Sequence, residues 1–380
     1  IVALTAPLCY HQKHMIYHVT NINNCKKGFS TMNKTRIRDY GIQMGTFPCG
    51  PRNAITDVAG VTVGHCTIDT PDSKTGVTVI LPSQENIFQK KLIASSYVLN
   101  GFGKSTGLLQ INELGSLESP IALTNTLNVG LVQEGLVDYM VSRCEQEQVP
   151  IHSFNPVVGE CNDCHLNNIK KRAVKPSHVL QAIETASQDF SQGDVGAGKG
   201  TICFGFKGGI GSSSRKLKIG DTWYTVGILV QSNFGRTRDL EINGFPLGEK
   251  VYKEIEAASQ DKGSIMSVLA TDLPLSSRQL HRILKRLGIG LGRTGSRVGH
   301  GSGDVMLGFS TANVLESDSD FQTCSFLNES NMDLAFRAAI ESEEEAVLNS
   351  MVAADTVKGY TGETRYGLRP YLERYIQEII

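Results

Sequence analysis

Two serines in glycine-rich surroundings have the residue types and spacing for hydroxyl chemistry. Ser264 follows Gly263 directly and precedes an apolar, β-prone run, and Ser302 lies in Gly299-His300-Gly301-Ser302-Gly303-Asp304. A glycine before a serine leaves the peptide carbonyl sterically open, so the Ser264 hydroxyl could attack the bond that precedes its own residue. Cleavage there would put a hydroxyl and an α-amine, with an ordinary pKa of about 7.7–8.0, on one residue. N-terminal nucleophiles are activated by such an amine.

A Gly-Ser pair alone is weak evidence, because both residues are common in turns. Further segments lie around it in a characteristic order: residues 53–65, 203–211, 230–235, 263–265, 270–272 and 301–304. Together they resemble the L-aminopeptidase/D-esterase (DmpA) family of self-cleaving hydrolases, which includes the β-peptidyl aminopeptidases. The resemblance extends from about Arg36 to Lys358, which is nearly the whole chain.

The resemblance implies an α+β fold, a four-layer αββα sandwich like that of N-terminal-nucleophile hydrolases. Residues 32–380 would form one catalytic domain. Cleavage between Gly263 and Ser264 would divide it into an α chain ending at 263 and a β chain of residues 264–380. Residues 1–31 match nothing in the family, so we expect a disordered extension there and a functional protein that begins at Met32.

The resemblance also assigns roles to residues around the nucleophile Ser264. Ser302 and Asp304 would orient and deprotonate it, since a hydroxyl can relay a hydrogen bond and a carboxylate can stabilise the resulting charge. Asn233 would donate its side-chain amide to the oxyanion, together with the backbone N–H of Ile265.

Glu160 stands where the family has a carboxylate that binds the α-ammonium group of the substrate, which implies an aminopeptidase. The family often has an aromatic residue two places later, whereas this chain has Asn162. The choice among L-peptides, D-esters or amides, and β-peptides therefore stays open. Asn100, Gly101 and Asn128 are weaker candidates for lining the pocket.

The hydrophobic pattern indicates which elements position these residues. Apolar, β-branched runs predict strands over residues 60–68, 76–81, 120–126, 201–206, 223–231, 264–270 and 304–310. Helical spacing predicts helices over 131–147, 177–190, 276–287 and 332–357. The mixed order favours a layered α+β fold over a parallel nucleotide-binding sheet.

Two charged segments receive specific interpretations. The glutamates of the last helix are predicted to form a solvated face; these are Glu341, Glu343, Glu344 and Glu345. Residues 244–262 are polar, lack a strand pattern and end at Gly263, so they are predicted to be the exposed linker that a cleavage site requires.

Composition excludes several classes of protein. The chain has 380 residues, 40% of them hydrophobic, and a net charge of −1, which gives no electrostatic case for nucleic acid or a membrane surface. No apolar run reaches the roughly 18 residues of a membrane span. Nine cysteines, an odd number, argue against a disulfide framework. With no compact apolar leader in residues 1–19, we expect a cytoplasmic enzyme with reduced thiols.

Other motifs have simpler explanations. A nucleophile elbow centred on Ser105 is matched by Gly103-Lys104-Ser105-Thr106-Gly107. The same segment partly matches a phosphate-binding loop, but Val98 stands where that loop needs glycine. Residues 290–295 spell a dinucleotide fingerprint but follow a helical pattern. Residues 161–165 match a haem-attachment pattern. We predict neither a cofactor nor a metal.

The favoured reading is a self-processing serine aminopeptidase that acts on small peptides, amides or esters, and the resemblance suggests a homotetramer of cleaved protomers. Two alternatives stay open. Ornithine acetyltransferases and nylon-oligomer hydrolases resemble this architecture but use a threonine nucleophile. An unprocessed, non-catalytic homologue is the other alternative, against which the retained candidate residues argue.

Overall fold

The computed structural model describes residues 36–255 and 263–380 of the chain. The predictions for residues 1–31 and for the last part of the polar linker, residues 256–262, lie outside these ranges.

The strands and helices are named in chain order. The strands are β1 (Thr62–Asp69), β2 (Lys74–Leu81), β3 (Lys90–Gly101), β4 (Ser116–Leu117), β5 (Ile121–Asn125), β6 (Val157–Cys161), β7 (Ile202–Cys203), β8 (Phe206–Lys207), β9 (Gly209–Ile219), β10 (Thr222–Asn233), β11 (Ser264–Thr271), β12 (Gly303–Glu316), β13 (Val357–Lys358) and β14 (Thr364–Arg365). The helices are α1 (Leu108–Leu114), α2 (Val129–Gln146), α3 (Pro176–Glu184), α4 (Leu247–Val251), α5 (Ser277–Arg293), α6 (Met332–Val352) and α7 (Arg369–Ile379).

Two sheets form the centre of the molecule. A four-stranded sheet has the order β1-β2-β5-β6, and a six-stranded sheet has the order β4-β3-β12-β11-β10-β9. Most neighbours are antiparallel, but β5 and β6 are parallel, as are β11 and β12. The start of β11 therefore lies beside the start of β12 and the end of β10, where these three central strands of the larger sheet terminate.

The apolar side chains divide into three layers that match these sheets. One cluster lies between the two sheets, a second lies between the six-stranded sheet and helices α5 and α6, and a third lies between the four-stranded sheet and helices α2 and α3. The order of layers is helix, sheet, sheet, helix. The predicted α+β sandwich of four layers is therefore confirmed.

Strand β11 shows how a local pattern builds this arrangement. Met266, Val268 and Ala270 belong to the core between the sheets, whereas Ile265 and Leu269 belong to the core under the helices. Alternate residues of a strand point to opposite faces, so both sides of β11 are apolar and the strand is buried on both sides.

The predicted elements differ from the observed ones mainly in extent. Helix α3 ends at Glu184, before the short bridge between Ser187 and Val63. Helix α5 continues to Arg293 because Leu287, Gly290 and Leu291 extend its buried side. Residues 290–295 therefore end a helix and do not follow a strand. The strand predicted over residues 201–206 is instead two short antiparallel strands, β7 and β8, joined by a turn. Helices α1, α4 and α7 were not predicted. Among the longer strands, β3, β6 and β9 were not predicted either. The last of these carries buried polar residues, Ser212 to Arg215, that hide its strand character.

The prediction that the glutamates of α6 form a solvated face is wrong. Glu341, Glu343, Glu344 and Glu345 are all buried, with Glu343 and Glu345 fully inaccessible. Helix α6 packs on β9 and β10 and against α5, so its polar side lies against protein.

The fully buried Arg215 of β9 compensates for two of these carboxylates. Arg215 contacts Glu341 at 3.3 Å and Glu345 at 2.7 Å. Arg38 adds a second guanidinium to Glu345, 2.8 Å away. The counter-charges come from distant parts of the chain, which the spacing of the glutamates does not reveal.

Among the residues that the structure describes, no helix combines the length and the apolar character that crossing a membrane requires.

Candidate active site

Ser264 is the first residue of the central strand β11, where the ends of three neighbouring strands of the larger sheet lie side by side. It pairs with Asn233 at the end of β10 and with Gly303 at the start of β12. Its exposed fraction is 6%. By strand alternation its side chain lies on the same face as that of Met266, the face that looks toward the four-stranded sheet. A hydroxyl here is therefore largely shielded from solvent.

The residue before it must be a glycine because the backbone of Asn233 and Phe234 comes so close. A Cβ at Gly263 would lie 2.0 Å from the carbonyl oxygen of Asn233 and 2.3 Å from Cα of Phe234. The Gly263 carbonyl oxygen accepts a hydrogen bond from the N–H of Gly303 at 3.2 Å. The Gly263 carbonyl is therefore held between the end of β10 and the start of β12.

Ser302 and Asp304 form a buried hydrogen-bonded pair beside this position. The Ser302 hydroxyl donates to Asp304 Oδ1 at 2.6 Å, and both residues are almost completely inaccessible. In the parallel ladder Asp304 is the register partner of Ile265, the residue that follows Ser264. The Ser302–Asp304 pair thus flanks the start of β12, the strand that neighbours β11 in the sheet.

The side-chain amide of Asn233 is held in one orientation by two backbone groups. Its Oδ1 accepts from the N–H of Ile202 at 3.0 Å, and its Nδ2 donates to the carbonyl oxygen of Asn162 at 3.0 Å. An amide nitrogen carries two hydrogens, and within residues 36–255 and 263–380 Nδ2 donates to one acceptor, so it can donate to a second. Asn162 therefore contributes its backbone to the site.

Asp163, the next residue, helps to fix the segment that carries this carbonyl. Its Oδ1 accepts from Asn167 Nδ2 at 2.9 Å. Burial raises the pKa of Asp163 to about 6, against the hydrogen bonds of Thr75, Asn167 and Asn125, which lower it.

Glu160, on β6 of the smaller sheet, is buried without a counter-cation. Its Oε1 accepts from the backbone N–H of Lys104 at 3.0 Å, its Oε2 accepts from the hydroxyl of Thr126, and 3% of the residue is exposed. Within residues 36–255 and 263–380, no lysine or arginine side chain forms an ion pair with it. Burying an uncompensated carboxylate is costly, so such a group is suited to receive a cation from a ligand.

The loop of residues 102–106, between β3 and α1, lies between this carboxylate and the start of β12. A Cβ at Gly103 would lie 3.9 Å from Glu160 Oε1 and 4.0 Å from Cα of Gly303. Ser105 lies in the strand–turn–helix context of a nucleophile elbow, but its hydroxyl donates to Met266 Sδ at 3.5 Å and is not bonded to a base. The loop packs against the site without supplying an activated serine.

Cys161 follows Glu160 but is not arranged for redox or haem chemistry. Its thiol is buried and donates to the carbonyl oxygen of Gln231 at 3.4 Å. Burial, followed by the charge of Glu160, raises the pKa of Cys161 well above its ordinary value, so the thiol is neutral. In the described ranges no group of three or more His, Cys, Asp or Glu side chains could hold a metal ion.

The architecture and the serine at the head of a central strand define the class of the protein: a hydrolase with the fold of the N-terminal-nucleophile enzymes. Comparison with known sequences makes this specific. Residues 53–365 match peptidase family S58, and the chain belongs to that family. It is 38% identical over 358 residues to a β-peptidyl aminopeptidase of Sphingosinicella xenopeptidilytica, a match that covers 88% of each chain.

Solved structures agree. A protein of Pyrococcus horikoshii, PH0078, superposes with a TM-score of 0.84 at 44% identity, covering 90% of this chain and 98% of the other. The L-aminopeptidase D-Ala-esterase/amidase of Ochrobactrum anthropi, a prototype of the serine aminopeptidases and a variant of the Ntn hydrolase fold, superposes with a TM-score of 0.81 at 35% identity, covering 90% and 98%.

The structure pairs Ser264 with Asn233 and Gly303 along the sheet, bonds Ser302 to Asp304 and places Glu160 on β6 of the smaller sheet. It adds groups that the sequence did not indicate. The added groups are the N–H of Lys104, the hydroxyl of Thr126, the N–H of Ile202 and the carbonyl of Asn162. Three of these are backbone groups, which leave no signature in residue type. Asn128, considered as a pocket residue, is instead fully buried and bonded to Asn125 at 2.9 Å.

Proposed function

We propose that the chain activates itself by cleavage between Gly263 and Ser264, and that Ser264 then removes the N-terminal residue from short peptides. The observation that carries the proposal is the position of Ser264. It begins β11, paired with Asn233 on one side and with Gly303 on the other. Nucleophile, amide donor and the Ser302–Asp304 pair are therefore joined by the backbone of three adjacent strands.

Self-cleavage begins when Ser264 Oγ attacks the carbonyl carbon of Gly263 and gives up its proton through the Ser302–Asp304 pair. The bond from that carbon to the Ser264 nitrogen breaks, the nitrogen takes a proton, and the acyl group rests on Oγ as an ester. Water hydrolyses the ester, which leaves the Gly263 carboxylate and a Ser264 that carries a free hydroxyl and a free α-amine.

Peptide hydrolysis repeats this chemistry on a substrate carbonyl. The Asn233 side-chain amide and the N–H of Ile265 stabilise the oxyanion, and loss of one such donor commonly costs roughly a hundredfold or more in turnover. Glu160 binds the α-ammonium group of the substrate in a nearly dry pocket. Because that group must be free and positively charged, the enzyme cuts after the first residue of a peptide.

The relatives extend the proposal to substrate class. One relative is named a β-peptidyl aminopeptidase and another an L-aminopeptidase D-Ala-esterase/amidase. We therefore propose short α- and β-peptides, amides and esters with a free amine as substrates. We also propose that residues 32–380 form one domain and that cleaved protomers assemble as a homotetramer, which light scattering of the purified enzyme would test.

The deciding experiment is mass spectrometry of the denatured, freshly purified chain together with an assay on alanyl and β-alanyl amides. We expect two fragments of about 29 and 13 kDa, scaled by residue number from the 41.3 kDa chain, with the smaller one beginning at Ser264. Ser264→Ala should stay intact and inactive. The matched control, Ser105→Ala, should cleave itself and hydrolyse normally.

Three results would contradict the proposal. A Ser264→Ala variant that still hydrolyses these amides would exclude Ser264 as the nucleophile. A wild-type chain that stays intact and inactive would favour the unprocessed, non-catalytic homologue. Acetyl transfer between amino acids without hydrolysis would favour the acyltransferase alternative.

A further inference from the structure

The Gly263 carbonyl oxygen, on which negative charge would develop during self-cleavage, has a backbone partner of its own. It accepts from the N–H of Gly303 at 3.2 Å. The bond continues the parallel ladder of β11 and β12 by one residue, and for that reason it could be ordinary sheet pairing. The surroundings of the donor peptide group indicate more than that.

The carbonyl oxygen of Ser302 belongs to the same peptide group as the Gly303 N–H, and it receives two hydrogen bonds. One comes from the backbone N–H of Phe102 at 3.2 Å, and the other, a short one, comes from the side-chain amide of Asn100. Hydrogen bonds in series polarise one another. Donors on the carbonyl side therefore strengthen the N–H on the other side, which points at the Gly263 oxygen.

Asn100 also fixes the turn that carries this peptide group. Its Nδ2 lies 3.1 Å from the carbonyl oxygen of Gly299 and 3.2 Å from that of His300. Asn100 is the register partner of Asp304 across β3 and β12, at a point where the ladder shifts by a residue. One side chain thus aligns the end of β3, the turn 299–302 and the start of β12.

The position also excludes any residue other than glycine. A Cβ at Gly303 would lie 2.8 Å from the carbonyl oxygen of Phe102. Without a side chain, the Gly303 backbone can lie against the loop and keep its N–H directed at Gly263. The Gly263 backbone therefore packs against Asn233 and Phe234, the Gly303 backbone packs against Phe102, and the two backbones lie next to each other.

We propose that the Gly303 N–H stabilises the oxyanion of self-cleavage, and that Asn100 is the positioning residue that orients and polarises it. The inference rests on the function proposed above. When Ser264 Oγ adds to the Gly263 carbonyl carbon, the hydroxyl proton leaves through the Ser302–Asp304 pair and the carbonyl oxygen becomes an oxyanion facing the Gly303 N–H. Collapse breaks the C–N bond, protonates the amine and forms the ester, which water then hydrolyses.

Peptide hydrolysis does not need this donor. Its carbonyl belongs to the substrate and not to the β11–β12 ladder, and its oxyanion is assigned to Asn233 and Ile265. Hydrolysis of the ester also releases the Gly263 carboxylate from its covalent link to Ser264. A defect in Asn100 should therefore slow maturation more than it slows turnover by chains that have already matured.

The test is Asn100→Asp in the full chain, with cleavage followed by mass spectrometry after a pulse of cell-free synthesis. The variant places a carboxylate oxygen against three carbonyl oxygens. We expect self-cleavage to slow by at least about tenfold more than hydrolysis per cleaved chain slows, because the proposed Gly303 donor acts only in self-cleavage. The matched control is Asn112→Asp on α1, since Asn112 uses only its Oδ1, as an acceptor from Ser96. It should cleave at the wild-type rate.

A second variant removes the donor itself. Replacing Gly303 by glycolic acid through semisynthesis turns the 302–303 amide into an ester, which deletes the N–H without adding a side chain. Self-cleavage should slow by about a hundredfold or more. Cleavage of this ester variant at the wild-type rate would overturn the proposal, as would an equal loss of cleavage and hydrolysis in Asn100→Asp.

Failure of the underlying function looks different. In that case the wild-type chain itself would stay uncut, or Ser264→Ala would remain active.

Discussion

Carboxylates are buried in two regions of this molecule, and the two regions hold them differently. On α6, Glu341 and Glu345 contact the buried guanidinium of Arg215. At the strand ends, Glu160 is held by a backbone N–H and a hydroxyl, and Asp304 accepts from the hydroxyl of Ser302. The first region is compensated by opposite charge, whereas Glu160 is held by uncharged donors.

The difference matches the structural role of the α6 carboxylates and the role proposed for Glu160. A carboxylate neutralised by arginine has little further attraction for a cation, so the α6 cluster braces β9, α6 and the segment around Arg38. A carboxylate held by neutral donors has no internal cation that competes with a cationic ligand. The burial of a carboxylate therefore does not by itself indicate a cation-binding site. The charge of the groups that contact the carboxylate is more informative.

Glu343 lies between these two cases. It is on α6, one residue from Glu344, yet it accepts a hydrogen bond of 2.5 Å from the hydroxyl of Ser267 on β11. Burial raises the pKa of Glu343 to about 8. This carboxyl avoids the cost of burial by retaining its proton at neutral pH.

The largest effect should come from removing the counter-charge of the α6 cluster. Arg215→Met leaves two buried carboxylates without their shared cation, and we expect the free energy of unfolding to fall by about 3–5 kcal/mol. Urea denaturation of the full chain measures it. The control is Arg238→Met, whose ion pair with Glu249 is exposed, so its loss should lower the free energy of unfolding far less. An equal loss of unfolding free energy in both variants would show that the buried cluster does not stabilise the fold more than an exposed ion pair does.

The next effect should come from Glu160→Gln, which keeps the shape of the side chain and removes its charge. Loss of a charged hydrogen bond of about 1.5–3 kcal/mol lowers kcat/KM by roughly 10- to 150-fold. Self-cleavage should proceed normally, because no ammonium group takes part in it. The comparison substrate is an N-acetylated peptide, on which wild type and variant should be equally poor.

A buried carboxylate of the compensated kind serves as the control for Glu160. Glu118 pairs with Lys91 at 3.1 Å and accepts from Asn155. Glu118→Gln should leave kcat/KM unchanged in the fraction that folds. A loss of kcat/KM as large as that of Glu160→Gln would contradict the distinction between the two kinds of carboxylate.

The smallest effect should be a change in the pH dependence of stability from Glu343→Gln. The folded-state pKa of about 8 lies above the ordinary 4.5. Between these values the folded chain keeps a proton that the unfolded chain releases, so the free energy of unfolding falls as pH rises, by at most about 1.4 kcal/mol per pH unit. Glu343→Gln should remove this part of the slope, measured by urea denaturation at pH 6, 7 and 8.

The exposed Glu329 provides the control for that slope. Its carboxylate pairs with Arg278 and Arg282, whose contacts lower its pKa, so it is already ionised throughout this range. Glu329→Gln should leave the slope between pH 6 and 8 unchanged. A Glu343→Gln variant that keeps the wild-type slope would show that Glu343 is not the group responsible.

The particular successes and failures of sequence reasoning have physical causes. The strand at Ser264 was predicted because its apolar alternation is local, and β11 begins at that residue. Strand β9 was missed because Ser212 to Arg215 are polar, and their burial is made possible by α6 and by Asp57 and Gln192, far away in the chain. The glutamates of α6 were misjudged for the same reason, since Arg215 lies 126 residues before Glu341.

By itself, the sequence determined the layered α+β class, the family and the candidate residues Ser264, Ser302, Asp304, Asn233 and Glu160. These depend on residue type and short-range order, which a chain carries before it folds. Only the tertiary structure decided which carboxylates are compensated by arginine and which backbone amides face the Gly263 carbonyl and Glu160. Backbone donors are the same at every position except proline, so their function follows from where folding places them.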